Sequence, residues 1–84
     1  MNYRLLIDYE AFEFLSQLKK PVQRLIHRRL RQIQDGPTEC SDYQERDSTG
    51  RPLHVSICGD YAITFWEDFA DRQVKVLQIA RADG

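Results

Sequence analysis

The first third of the chain combines a short apolar run with two stretches in which apolar residues recur at helical spacing. Residues 3–7 are mostly apolar and end at Asp8, which predicts a first strand. Asp8 is a suitable N-cap for a following helix, and Glu10 falls in its first turn, where the helix dipole favours an anion. We expect Lys19 and Lys20 to close this helix. Its apolar positions are Ala11, Phe14, Leu15 and Leu18.

A second helix is predicted directly after the first. Pro21 suits the first position of a helix, and the sequence Asp35-Gly36-Pro37 ends the periodic segment. The link between the two helices is so short that we expect an antiparallel helical hairpin. The apolar positions of the second helix are Val22, Leu25, Ile26, Leu30 and Ile33.

The last third of the chain changes to a period of two. Residues 53–58 and 61–66 alternate around the turn Gly59-Asp60, and a final strand is predicted over 74–80. The polar segment 38–50 has room for a short edge strand near Tyr43. The predicted fold class is α+β in the order β-α-α-β-β-β. An N-terminal strand and the helical hairpin pack on a mostly antiparallel sheet of about four strands.

Length and composition support one soluble domain spanning residues 1–84. The chain has 84 residues, of which 42% are hydrophobic and 30% charged, and no apolar run approaches the ~18 residues of a membrane span. The N-terminus lacks a signal-peptide pattern, so we expect a cytoplasmic protein with no membrane partner. Cys40 and Cys58 are expected to be reduced thiols. No cluster at ligand spacing indicates a metal or a cofactor.

Several short segments carry a family resemblance. They are Tyr3-Arg4-Leu5, Leu18-Lys19-Lys20-Pro21-Val22-Gln23-Arg24, Leu30-Arg31-Gln32-Ile33 before Asp35-Gly36-Pro37, Gly59-Asp60-Tyr61, and Val76-Leu77-Gln78-Ile79-Ala80-Arg81. In this order and spacing, the chain resembles the RelE/ParE superfamily of toxins from bacterial type II toxin–antitoxin modules. The resemblance implies a cognate antitoxin as partner. RelE-like members are ribosome-dependent endoribonucleases that cut mRNA, whereas ParE-like members poison DNA gyrase.

The resemblance also implies where cations should stand for RNA cleavage. That reaction needs a base, an acid and positive charge on the phosphoryl group. The Arg that such toxins carry after the Gly-Asp-Tyr turn is replaced here by Ala62, and the strand positions that usually carry cations are Val55 and Ile57. A bulge or a one-residue slip would instead turn His54 and Ser56 toward the site.

Three residues form the candidate catalytic set: Arg81, His54 and Arg51. Arg81 is the best match to a phosphate-facing Arg of the family, and the alternation Lys75, Leu77, Ile79, Arg81 predicts that it shares a sheet face with Lys75. An unperturbed imidazole titrates near pH ~6.5, which suits acid–base work, although a single histidine on an alternating strand such as His54 is more often a packed or exposed residue.

The charges of the second helix are segregated. The net charge is −1, yet six of the twelve Lys and Arg residues lie between Lys19 and Arg31, in a segment without an acid. This basic face is interpreted as a contact for ribosomal RNA phosphates, a contact for an acidic antitoxin, or a solvated helix face. The candidate RNA- or partner-binding residues are Lys20, Arg24, Arg28 and Arg31, together with Trp66 on the sheet.

Two further side chains have alternative interpretations. Arg29 falls on the apolar side of its helix, where we expect its stem to pack and its head to reach an acid or water, the alternative being a functional cation. Trp66 is predicted to share a sheet face with Ala62 and Thr64, where it would stack on a base, anchor a partner or pack in the core.

The functional expectation is therefore a RelE-like translation inhibitor that acts by ribosome-dependent mRNA cleavage with a degraded catalytic site. Because expected cations are missing, endoribonuclease activity is left open. The alternative is a ParE-like gyrase-directed toxin, or another toxin homologue that binds proteins without catalysis. The oligomeric state is also left open.

Overall fold

The computed structural model describes residues 3–83 as one five-stranded sheet with two α-helices. The strands are β1 (Arg4–Ile7), β2 (Tyr43–Arg46), β3 (Pro52–Cys58), β4 (Tyr61–Asp68) and β5 (Gln73–Arg81). The helices are α1 (Tyr9–Ser16) and α2 (Lys20–Asp35), followed by a 3₁₀ turn over Thr38–Cys40. The α+β class and element order are confirmed. The edge strand near Tyr43 is present, so the sheet has five strands rather than about four.

The strand order across the sheet is β1-β5-β4-β3-β2. The pairing of β1 with β5 is parallel, with Arg4 opposite Gln73, and the other three pairings are antiparallel. β1 pairs only with the first half of β5, and α1 also packs against β5. The sheet therefore has one face covered by the helices and one face turned away from them, which we call the open face.

The hydrophobic core lies between the helices and the sheet. Both helices contribute apolar residues at the predicted positions. The buried ones are Ala11 and Leu15 of α1, Ile26, Leu30 and Ile33 of α2, and Ile63, Phe65, Val74, Val76 and Ile79 of the sheet. Leu25 is the exception, because 43% of it remains exposed, so its predicted core position is wrong. Burial of this apolar set is the main stabilising contribution to the fold.

The boundary between the helices differs from the prediction. α1 ends at Ser16, Lys19 is the N-cap of α2 and Lys20 is its first residue, so the prediction that these lysines close the first helix is wrong. The side-chain amide of Gln23 donates hydrogen bonds to the carbonyl oxygens of Ser16 at 3.1 Å and Leu18 at 2.8 Å. Without Gln23, these carbonyl oxygens would lack partners after the last turn of the helix. The amide of Gln23 therefore allows α1 to end at Ser16.

The contacts of two β3 side chains show which residues of this strand face the helices. His54 stacks on the core ring of Phe65 with centroids 5.4 Å apart, and Ser56 accepts a hydrogen bond from Arg29 of α2. These side chains therefore face the helices. Val55 and Ile57 alternate with them and face the open side. The alternative in which a slip turns His54 and Ser56 to the open face is wrong.

A bulge in β5 separates Lys75 from Arg81. Thr64 lies opposite Gln78 while Phe65 lies opposite Val76, so Leu77 has no partner on β4. Lys75 consequently stands on the open face, and Arg81 lies opposite Tyr61 on the side of the helices. The predicted common face for Lys75 and Arg81 is wrong, because one unpaired residue reverses the alternation between them.

Candidate functional site

The open face contains a shallow cleft of about 270 Å³ between β2 and the end of β5. Its lining combines small and apolar side chains with a few polar ones. The lining residues are Val55, Ala62, Thr64 and Ala80, with Tyr43, Glu45, Gln78, Arg81 and Ala82 around them. We call this the open-face cleft. Glu45 contributes a carboxylate to this lining, whereas Arg81 lies at the rim with its guanidinium over the Tyr61 ring on the side of the helices. The cleft opens directly to solvent.

The positions where the family resemblance predicted cations are apolar on this face. Val55 is buried, Ile57 is half-buried, and Ala62 lies opposite Ile57 in the register of β3 and β4. The open-face cleft therefore lacks the positive charge expected beside the Gly59-Asp60 turn.

Arg81 sits at the end of β5, at the rim of the cleft. Its guanidinium carbon lies 5.6 Å from the centroid of the Tyr61 ring, and its Nε lies 3.5 Å from Asp83 Oδ1. The side chain is 55% exposed. The ring of Tyr61 in turn makes an edge contact with Phe14 of α1, at 6.1 Å between centroids. Arg81 is thus an accessible cation resting on an aromatic ring that is anchored in the core.

A second group of cations surrounds Trp66 on the open face, away from the cleft. The guanidinium carbon of Arg51 lies 4.3 Å from the indole centroid, and Lys75 Nζ lies 4.9 Å from it. Each cation also has an acid nearby: Asp47 at 3.4 Å from Arg51 Nε, and Asp68 at 3.6 Å from Lys75 Nζ. Trp66 stands on the same face as Ala62 and Thr64, as the alternation predicts, and its contacts there are cation–π interactions.

The loop before β3 fixes the position of Arg51. Asp47 Oδ1 accepts hydrogen bonds from the Thr49 hydroxyl at 2.6 Å, the Thr49 amide at 2.9 Å and the Arg51 amide at 2.9 Å. The hydrogen bond from the Thr49 hydroxyl, followed by the one from the Arg51 amide, lowers the pKa of the Asp47 carboxyl from its ordinary value. The carboxylate form of Asp47 therefore stabilises this turn.

His54 lies on the side of the sheet facing the helices, apart from the cleft floor. It is only 9% exposed, its ring stacks on Phe65, and its Nδ1 lies 2.9 Å from Ser41 Oγ. The three candidate catalytic residues are thus in three places: Arg81 at the cleft rim, Arg51 beside Trp66, and His54 in the core. The structure does not bring them together.

Arg29 spans the gap between α2 and β3. Its Nη1 donates to Ser56 Oγ and to the carbonyl oxygen of Ile57, both at 2.8 Å, and its Nε donates to Gln32 Oε1 at 3.0 Å. The predicted acid or water partner is wrong: the head reaches a buried hydroxyl and a backbone carbonyl. Asp42 Oδ2 accepts from the Ile57 amide at 2.6 Å, so both backbone groups of that residue are satisfied.

The basic face of α2 lies on the outside of the molecule. Lys20, Arg24, Arg28 and Arg31 are all exposed. In the chain from residue 3 to residue 83, none of them has an acidic group within 4.0 Å. This surface and the open-face cleft belong to different sides of the sheet.

The thiols and potential metal ligands add no further site. Cys40 is half-buried and Cys58 is buried, both are free, and desolvation raises the pKa of each thiol. Between residues 3 and 83, no three His, Cys, Asp or Glu side chains are grouped so as to hold a metal ion. Over the same range, no helix is long and apolar enough to cross a membrane.

This arrangement of sheet and helices is similar to that of several solved RelE structures. A chain of the archaeal RelE–RelB complex from Pyrococcus horikoshii superposes with a TM-score of 0.80 at 22% identity, covering 96% of both chains. The toxin–antitoxin complex RelBE2 from Mycobacterium tuberculosis gives 0.83 at 13% identity, covering 96% of this chain and 99% of that one.

The isolated E. coli RelE toxin gives a TM-score of 0.77 at 16% identity, covering 95% of this chain and 84% of that one. The sequence itself matches no protein-family model and no curated protein. The chain therefore has the RelE fold over almost its whole length.

Sequence analysis missed the polar residues of the cleft that come from β2. Tyr43 and Glu45 alternate along this strand and share a face with Val55 and Leu53 across the ladder. The signal that could have found them is this alternation on the predicted edge strand. Gln78 was missed for another reason: the bulge at Leu77 changes its facing relative to Lys75.

Proposed function

We propose that the protein is the toxin of a type II toxin–antitoxin module and inhibits translation by acting on mRNA at the ribosome. The observation that carries the proposal is the RelE fold across 96% of the chain, together with an accessible arginine at the rim of the cleft. The superposed chains come from structures named as RelE–RelB and RelBE2 toxin–antitoxin complexes. Those neighbours are RelE proteins, so gyrase-directed action is not what we propose.

RNA cleavage requires a base and a positive charge, and we propose Glu45 of the open-face cleft and Arg81 at its rim for these roles. In this proposal the Glu45 carboxylate, which lines the cleft, takes the proton of a ribose 2′-hydroxyl as its oxygen attacks the adjacent phosphorus. The Arg81 guanidinium is suited to the developing phosphoryl charge, because its fork of N–H donors matches a phosphate. The bond from phosphorus to the 5′-oxygen then breaks, and the leaving oxygen takes a proton from the Tyr43 hydroxyl or from water.

The apolar residues at Val55, Ile57 and Ala62 indicate a slow reaction. One missing charge-assisted contact in a transition state costs on the order of 3 kcal/mol, roughly a hundredfold in rate. We therefore propose a toxin whose cleavage is weak. The same observation favours a second candidate function, a toxin homologue that occupies its target without cleaving RNA.

A cognate antitoxin is the proposed partner. Several large apolar side chains are exposed on the helices and on β1, which gives a folding partner segment apolar surface to cover. These are Leu6, Tyr9, Phe12 and Leu25, each at least 39% exposed. We expect nanomolar binding to a small acidic protein encoded by the adjacent gene, measured by co-purification and calorimetry. Absence of binding at micromolar concentration would refute this partner.

The proposal is tested by inducing the protein in bacteria and mapping new 5′ ends in mRNA by primer extension. Wild type should arrest growth, and co-expression of the adjacent gene should restore it. Arg81→Ala and Glu45→Gln should abolish mRNA cleavage while leaving the melting temperature within a few degrees. Arg46→Ala is the matched control, since Arg46 is exposed and its side chain donates to the Gly50 carbonyl, outside the proposed site.

Each pattern of results has a distinct meaning. Growth arrest with new mRNA ends supports cleavage. Growth arrest without new ends supports the non-cleaving candidate. Unimpaired growth at full expression would refute a toxin.

A further inference from the structure

We infer that His54 is a positioning residue for the open-face cleft, because it holds the strand that carries Glu45 from the opposite side of the sheet. His54 does not line the cleft and acts through the hydroxyl of Ser41. The catalytic meaning of this contact rests on the proposed function, in which Glu45 is the base. The contact itself is a property of the folded chain and is measurable without RNA.

The strand β2 is the wall of the cleft with the weakest apolar support. It lies at the edge of the sheet beside β3, and all four of its residues are exposed. Two of them, Tyr43 and Glu45, nevertheless line the cleft. Because no buried side chain of β2 anchors it in the core, the position of the Glu45 carboxylate depends on the backbone ladder and on polar contacts at the ends of the strand.

The contact at the start of β2 has a defined direction. Ser41 precedes the strand, and its Oγ lies 2.9 Å from His54 Nδ1 and 3.1 Å from the carbonyl oxygen of Tyr43. A serine hydroxyl has one hydrogen and a carbonyl oxygen can only accept, so that hydrogen is donated to Tyr43. His54 Nδ1 therefore carries its own hydrogen and donates it to Ser41. The two hydrogen bonds form a chain from His54 to the backbone of β2.

The imidazole of His54 is the fixed end of this chain. It is buried and stacks on the ring of Phe65 with an interplanar angle of 22°, and Phe65 is itself fully buried in the core. The core thus holds the donor in one place, and Ser41 relates that place to the backbone of Tyr43, two residues before Glu45. A supporting contact of this kind keeps a reacting group in its productive geometry.

A second tether limits how far β2 moves when the first is lost. The Asp42 amide donates to the Val55 carbonyl oxygen at 2.8 Å, and Asp42 Oδ2 accepts from the Ile57 amide at 2.6 Å. Removing the contact between His54 and Ser41 should therefore loosen β2 rather than release it. Displacing a reacting group by ~1 Å costs about a hundredfold in rate, so we expect a smaller loss of roughly tenfold.

The first test is amide hydrogen exchange of the purified full chain, followed by NMR. Ser41→Ala should lower the protection factor of the Asp42 amide about tenfold, the effect expected when hydrogen bonds of ordinary strength are lost. The β4 amides should stay within about twofold of wild type, because the core is unchanged. Ser41→Thr keeps the hydroxyl and should match wild type. Ser16→Ala is the control, since Ser16 is exposed and its hydroxyl donates to the Glu13 carbonyl, far from β2 in sequence.

The second test separates positioning from a purely structural role. In single-turnover cleavage of mRNA on ribosomes, Ser41→Ala should lower the rate at saturating protein about tenfold and leave the half-saturating protein concentration within about twofold. Ser41→Thr should restore the rate. His54→Phe keeps an aromatic ring against Phe65 but lacks the donor, so it should also slow cleavage. The double variant should be about as slow as Ser41→Ala, because both changes remove the same contact.

The possible results distinguish a failure of this inference from a failure of the proposed function. An unchanged Asp42 protection factor in Ser41→Ala would overturn the inference, as would an unchanged cleavage rate in a variant whose β2 is loosened. If His54→Phe does not fold, the Ser41→Ala and Ser41→Thr pair decides the result. If wild type cleaves no RNA, the proposed function fails, and the exchange measurement alone decides whether His54 holds β2.

Discussion

Arg29 and Arg28 are adjacent in sequence but have different roles, and the difference is measurable as stability. Arg29→Ala removes the donors that satisfy the Ser56 hydroxyl, which is fully buried, and the carbonyl of Ile57. A buried polar group left without a partner costs about 1–3 kcal/mol, so the two together should cost roughly 2–6 kcal/mol. The hydrogen bond lost to Gln32 is exposed and adds little.

This loss is large relative to the total stability of such a small domain. A chain of 84 residues is stable by about 4–13 kcal/mol. At about 4–8 °C per kcal/mol, Arg29→Ala should lower the melting temperature by at least about 8 °C. Arg28→Ala, an exposed substitution one residue away, should change the free energy of unfolding by no more than about 0.5 kcal/mol.

Urea unfolding followed by circular dichroism measures both variants, and a double-mutant cycle isolates the contact. Once Arg29 is absent, Ser56→Ala removes a hydroxyl that is already unpaired, so it should cost less than in wild type. We expect a coupling free energy of at least about 1 kcal/mol between Arg29 and Ser56. Equal effects of Arg29→Ala and Arg28→Ala, with an additive cycle, would refute the structural role of Arg29.

Three further predictions concern the site. Ala62→Arg restores a cation beside the open-face cleft and should raise ribosome-dependent mRNA cleavage up to about a hundredfold in single-turnover assays. A wild-type cleavage rate equal to that of active RelE toxins would contradict a degraded site. Arg81→Lys should fail to restore the growth arrest lost in Arg81→Ala, because an ammonium cannot form a bidentate contact; full toxicity in either variant would remove Arg81 from the site. The depressed pKa of Asp47 means that its carboxylate contributes stability above its ordinary value of 3.8, and that this contribution is lost as pH falls through the lower folded-state value. Carboxyl titration by NMR should show this depression, and a titration at or above the ordinary value would disprove the turn.

Much of the fold follows from periodicity. The helical spacing of Leu15, Ile26 and Leu30 and the alternation of Ile63 and Phe65 each place the correct side chains in the core. These signals are strong because one apolar face per element must be buried, whatever the remaining sequence.

The wrong predictions concern features that depend on another part of the chain rather than on the local sequence. The end of α1 depends on the amide of Gln23, which acts from the next helix, and the facing of Arg81 depends on the bulge at Leu77. Neither the end of α1 nor the facing of Arg81 is indicated by a pattern in the neighbouring sequence. In the sequence, Arg29 is a charge on an apolar stripe. Only the packing of β3 beside α2 shows that its guanidinium donates a hydrogen bond to the buried Ser56 hydroxyl.

The candidate site was predicted less completely than the fold. The sequence names Arg81 and Trp66, and the structure places Arg81 exposed at the rim of the cleft and Trp66 half-buried on the open face. His54 was named for its chemistry, but its alternation places it against Phe65. Glu45 was missed because β2 is short and polar, and such an edge strand carries no apolar signal.

The central claim is that the protein inhibits translation, and the most direct measurement is the order in which macromolecular synthesis stops after induction. Labelled methionine and labelled thymidine should be followed in parallel in cells that express wild type or Arg81→Ala. The account predicts that methionine incorporation falls within minutes in wild type while thymidine incorporation continues, and that the variant affects neither. A fall in thymidine incorporation first would contradict the account and indicate an action on DNA, and undiminished incorporation of both labels would show that the RelE fold here serves no toxin function.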